Sequence, residues 1–79
     1  MRELYGSHTC QFTAELREEL EWRGEAFLEY DVETDVNALR RMLELTNHQR
    51  TVPVLVEDGK VIGIGYQGRG CVVNPPDHD

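Results

Sequence analysis

Residues 5–13, Tyr5-Gly6-Ser7-His8-Thr9-Cys10-Gln11-Phe12-Thr13, run from a strand-like start through a Gly-Ser turn into a helical pattern that a cysteine opens. Three residues on, where a Cys-x-x-Cys pair would place its second thiol, stands Thr13. The stretch therefore predicts a strand-turn-helix unit with one cysteine at the helix start.

Working outward, Arg2 to Tyr5 reads as a short strand ending at Gly6. Cys10 to Arg23 reads as a helix with Phe12, Leu16 and Leu20 at four-residue spacing and Gly24 as its stop. Ala26 to Val32 alternates as a strand, with Leu28, Tyr30 and Val32 on one face and Phe27, Glu29 and Asp31 on the other. Asp35 can cap a second helix that ends near Thr46, its apolar stripe drawn from Val36, Leu39, Leu43 and Met42. Val54-Leu55-Val56, the Asp58-Gly59 turn and Val61-Ile62 spell a β-hairpin, since Asp-Gly suits a type I′ turn.

Strand, helix, strand implies a parallel pair with a right-handed crossover. Adding the second helix and the hairpin gives β-α-β-α-β-β: an α/β chain with a four-stranded mixed sheet flanked by helices. This is the thioredoxin-like arrangement in its smallest form. Residues 1–73 are expected to form the domain, and the tail from Asn74, with two prolines, to be disordered.

Seventy-nine residues suffice for one core and leave little chain for a second function. Fifteen acids against eight bases give a net charge of −7, a field that repels phosphate backbones and argues against a nucleic-acid partner. No apolar run is long enough to span a membrane, and the N-terminus lacks a signal-peptide pattern, so the expected location is cytoplasmic. That setting argues against a stapling disulfide between Cys10 and Cys71, whose separation also gives no zinc-ligand spacing. No metal is expected.

Two readings stand for Cys10. It is a small buried residue at a helix start capped by Thr9 or Ser7, or it is a nucleophile. The second is favoured by physics: backbone N–H groups and the helix dipole at that position stabilise a thiolate, which is the attacking species in thiol–disulfide exchange. Thr13, one turn later, can offer a hydroxyl to the sulfur but cannot resolve a mixed disulfide. Thr51-Val52-Pro53 precedes the third strand, where Pro53 either only starts the strand or forms a cis-proline loop beside the thiol.

Over almost its whole length the chain resembles the glutaredoxins. The matching features are Tyr5 with the helix-opening Cys10, Phe12, Gly24, the strand end Tyr30 to Thr34, Arg50-Thr51-Val52-Pro53, and Ile62-Gly63. The Cys-x-x-Thr site further resembles a glutaredoxin-like selenoprotein group, in which cysteine or selenocysteine is the nucleophile. The resemblance implies a thioredoxin-like fold, Cys10 as nucleophile, Pro53 in cis and Val52 as a backbone docking point for a glutathionyl group. Arg50 is implied as a carboxylate partner, with Thr51 and Gly63 beside the ligand. The chain departs from the pattern at Ser7, where many members carry a lysine, at Tyr66-Gln67 in place of an acidic pair, and at Gln11 in place of the glycine of iron–sulfur carriers. The usual final helix is expected to be short or absent.

Smaller signals are read more plainly. His8 is an exposed loop residue or an imidazolium that stabilises the thiolate. Cys71 is an incidental tail cysteine or a resolving thiol, the former preferred because pairing needs Cα atoms within about 7 Å. The expected function is a monothiol, glutaredoxin-like thiol–disulfide oxidoreductase. It acts as a monomer on glutathione mixed disulfides or on protein disulfides, with glutathione or another small thiol as reductant and no bound cofactor. The alternative is a non-enzymatic module, either a glutathione-coordinated iron–sulfur carrier or a redox-inactive docking domain.

Overall fold

A computed structural model describes residues 1–73 of the chain, and the expectation for the tail from Asn74 lies outside the described residues. Six strands and two helices follow in the order β1 (Arg2–Gly6), α1 (Gln11–Trp22), β2 (Phe27–Asp31), α2 (Val36–Leu45), β3 (Thr51–Val52), β4 (Val54–Glu57), β5 (Lys60–Ile64) and β6 (Cys71–Val72). The main sheet is four-stranded in the order β2-β1-β4-β5. Its β1–β2 pair is parallel, while β1–β4 and β4–β5 are antiparallel. The mixed sheet expected from the element order is therefore present.

Alternation along the strands sends side chains to two faces. Leu4 points to one, where it packs with Leu16 and Leu20 of α1 and with Phe27 and Leu55. Tyr5, Val54 and Val56 point to the other, where Ala38, Leu39 and Met42 of α2 cover them. Each helix thus seals one face, and the loop before Cys10 emerges at the end of β1 between them.

The helix signals act as expected, with one shift. Gly24 ends α1 at φ 73° while Glu25 N donates back to Leu20 O, as a C-terminal glycine cap does. Asp35 caps α2 by accepting from Asn37 N and Ala38 N, each at 3.1 Å. The buried stripe of α2, however, is Ala38, Leu39 and Met42, and Val36 is exposed. In the hairpin, Asp58 and Gly59 both have positive φ, which is what a type I′ turn demands.

No final helix follows β5 among the described residues. The chain instead turns through Gly65 and Gly68, both at positive φ, with Tyr66 and Arg69 bridged across the turn. It returns as β6, which pairs antiparallel with β3. This second, two-stranded sheet is not foreseen by the periodicity, because each strand is only two residues long.

Candidate active site

Cys10 is the N-cap of α1, extended in backbone (φ −95°, ψ 116°) and 2% exposed. Its amide donates to Ser7 O at 3.2 Å, and its carbonyl accepts from Ala14 N at 3.2 Å to begin the helix. Its side chain makes no capping hydrogen bond. The sulfur lies 4.0 Å from Val52 O and is bonded to the sulfur of Cys71.

That bond corrects the expectation for Cys71. The two Cα atoms stand 5.9 Å apart across 61 residues of sequence, inside the span a disulfide needs. The reason is β6: in the β3–β6 ladder Cys71 faces Val52, the residue whose carbonyl borders the Cys10 sulfur. The preference for an incidental tail cysteine, and the argument against a disulfide between the two, both give way to this register.

The loop of residues 7–9 is built on Ser7, which is buried. Its Oγ donates to the Glu33 carboxylate, meets Thr9 Oγ1 at 3.0 Å and accepts from Thr9 N at 3.1 Å. Thr13 is fully buried against Gly6, whose position would admit no side chain beside the threonine methyl. The Thr13 hydroxyl accepts from Ser7 N at 3.3 Å, so the partner it meets is the loop backbone rather than the sulfur. Ser7 and Glu33 are residues that sequence reasoning misses as site-builders. A signal exists in outline, since a serine before a helix start commonly bonds nearby backbone.

The remaining candidates fall into place unevenly. The Val52–Pro53 peptide is cis, and Val52 is buried beside Cys10. Thr51 pairs with Val72, and Pro53 O accepts from Gly65 N at 2.7 Å. Arg50 is exposed, its carbonyl accepting from Val73 N at 3.0 Å. Gly63 sits opposite Leu55 in the β4–β5 pairing of the main sheet. His8 is exposed, with Nδ1 against the Asp31 carboxylate. The groove lined by Gly6, Ser7, His8, Arg17, Glu29 and Asp31 carries charges already paired with each other: Arg17 with Glu29, His8 with Asp31.

Among the described residues no group of three or more His, Cys, Asp or Glu side chains is placed to hold a metal, and no helix is long and apolar enough to cross a membrane. Cys10 at a helix start, a cis-proline loop against its sulfur and a second cysteine bonded to it make a dithiol–disulfide couple on a three-layer α/β scaffold.

Comparison with solved structures places that scaffold among thioredoxin-like proteins. The thioredoxin-like protein BC3987 superposes with a TM-score of 0.76 at 30% identity, covering 85% of this chain and 89% of that one. A threonine-to-alanine mutant of that protein gives the same score and identity, covering 85% and 88%. The glutaredoxin family model matches residues 3–62, and the chain belongs to the glutaredoxin family. No curated protein matches it.

Proposed function

We propose that this protein is a thiol–disulfide oxidoreductase in which Cys10 is the attacking thiolate. The observation that carries the reading is the position of Cys10: at the first turn of α1, against Val52 O, and within bonding reach of a second cysteine. Helix-start N–H groups favour the anion, and a thiolate is the species that attacks a disulfide. Membership of the glutaredoxin family supports the same chemistry.

The substrates proposed are glutathione mixed disulfides or protein disulfides, with a small external thiol restoring the reduced enzyme in the cytoplasm. The backbone of Val52 is the proposed docking point and Arg50 the proposed partner for a substrate carboxylate. Ser7 carries no charge to stand in for a lysine, and its hydroxyl is already bonded to Glu33 and Thr9. Glutathione is therefore expected to be held weakly.

The test is the pH dependence of alkylation of reduced Cys71→Ser, in which Cys10 is the one thiol. Its midpoint should fall below the ordinary thiol value of about 8.5. A midpoint at or above that value sinks the reading. Arg50→Ala should raise KM for a glutathionylated peptide more than it lowers kcat, as loss of uniform binding does. An unchanged KM removes Arg50 from the site.

A further inference from the structure

Val52 O borders the Cys10 sulfur, so a disulfide that docks on the β3 backbone presents its sulfur to Cys10. That edge of β3 is the one β6 uses: Val52 faces Cys71, Thr51 faces Val72, and Val73 N donates to Arg50 O. An extended peptide that adds a strand to an open edge gains the same backbone bonds. β6 thus lies along the backbone edge that such a peptide would use.

Its attachment is built for departure as well as for docking. The ladder is two residues long, and pairs that short are marginal in water. Val72 is exposed, and Val73 is the one side chain of the segment sunk into the core. The approach is set by glycines: a Cβ at Gly70 would stand 2.6 Å from Val52 O and 2.7 Å from Thr51 Cγ2. Gly65 gives the turn a similarly close pass, with a Cβ there 2.8 Å from Arg69 O.

We propose that β6 is an intramolecular occupant of the substrate edge and that Cys71 is the resolving thiol it delivers, a proposal that rests on Cys10 being the nucleophile of thiol–disulfide exchange. With β6 displaced, the Cys10 thiolate attacks one sulfur of a substrate disulfide, and the other leaves as a thiolate. The bound half remains on Cys10 as a mixed disulfide. As the substrate segment leaves the edge, β6 re-pairs with β3, the Cys71 thiolate attacks the Cys10 sulfur, and the bound half departs as a second thiolate. The substrate has then gained two electrons and the Cys10–Cys71 pair has lost them; the protons that the two cysteines shed to solvent on ionising are available there to the two departing thiolates. A small-molecule thiol returns the electrons, two of its molecules ending as their own disulfide. Substrate docking and resolution compete for one edge, so they occur in turn.

The experiment treats reduced full-length protein, freed of reductant, with one equivalent of dithiobis-nitrobenzoate. The wild type should release both coloured halves and finish unlabelled with Cys10 bonded to Cys71. Cys71→Ser should release one half and keep the other on Cys10. If Cys71→Ser takes no label at Cys10, the nucleophile reading itself fails. If Cys71→Ser is labelled and the wild type keeps its label equally long, Cys71 does not resolve and this proposal is overturned while the nucleophile stands. Release of the second half at a rate that grows with protein concentration overturns it too, since the resolving thiol would then come from another copy. Gly70→Val tests the edge: labelling of Cys10 should be at least as fast as in the wild type, and loss of the label slower by about 10-fold or more. Equal loss of label would show that β6 does not reach Cys10 along β3.

Discussion

Thr13 shows how much one hydroxyl can be asked to do and what geometry allows it. Buried against Gly6, it accepts the Ser7 amide and so ties the first turn of α1 to the loop that carries Cys10. Thr13→Val keeps the shape but leaves that buried amide unpaired, a cost of about 1–3 kcal/mol. Thr13→Ser keeps the bond and loses a methyl, for about 1 kcal/mol. Urea unfolding should rank the valine variant at least as unstable as the serine one; the reverse order would remove the hydrogen bond from the account. Tyr5 offers a pH signature. Burial holds its phenol above its ordinary range; Arg41 Nε, donating to the phenol oxygen at 3.2 Å, opposes this, and the Glu3 carboxylate it donates to adds to it. Its stabilising contribution is complete below the unfolded value of about 10 and is lost as pH rises through the higher folded value. The melting temperature should fall on the alkaline side, and Tyr5→Phe should flatten that limb.

The two helices differ at their starts, a difference that bears on the role proposed for Cys10. Asp35 satisfies two amides of α2, so Asp35→Ala should cost about 1 kcal/mol, read from the denaturation midpoint. At α1 the N-cap is Cys10, whose side chain satisfies none, and the first turn carries no acidic residue. Those amides are left to face a thiolate once the disulfide opens. A counterweight is Glu33, which follows β2 and is held by Ser7 and Thr9 of the loop that leads to Cys10. Glu33→Gln removes that negative charge while keeping an acceptor, and should speed Cys10 alkylation at neutral pH in the Cys71→Ser background. Both helices are legible in the sequence because two signals agree in each: a four-residue period and the Gly24 stop for α1, an apolar period and the Asp35 cap for α2. Leu39 and Met42 of the expected α2 stripe are buried and Leu43 packs against them, but Val36, in the first turn, is exposed while the smaller Ala38 is buried. Propensity and apolar count cannot see that.

At the scale of the molecule, what is readable is local and what escapes is long-range. Order of elements, the type I′ hairpin and the site cysteine all follow from neighbours in sequence. The β3–β6 pairing depends on two dipeptides brought together by a glycine-rich return, and no period of 2 or 3.6 can register over two residues. Ser7 stands out in the sequence for the lysine it replaces, whereas its role lies in a bond to Glu33 across 26 residues. The same long reach sets how redox state should act on stability. A link across 61 residues removes chain entropy from the unfolded state worth about 4 kcal/mol on the loop-closure account. For a 79-residue domain that is a large share of the total. Reduction should therefore lower stability by about 2–4 kcal/mol, with Cys71→Ser behaving like the reduced wild type. Val73 and the ladder remain available to β6 in the reduced form while the unfolded chain, no longer linked, expands, so the slope of the unfolding transition should rise on reduction. A reduced protein as stable as the oxidised one would mean that closing the bond strains the native fold by as much as it constrains the unfolded chain. A markedly smaller slope on reduction would mean that more than β6 is released when the bond opens.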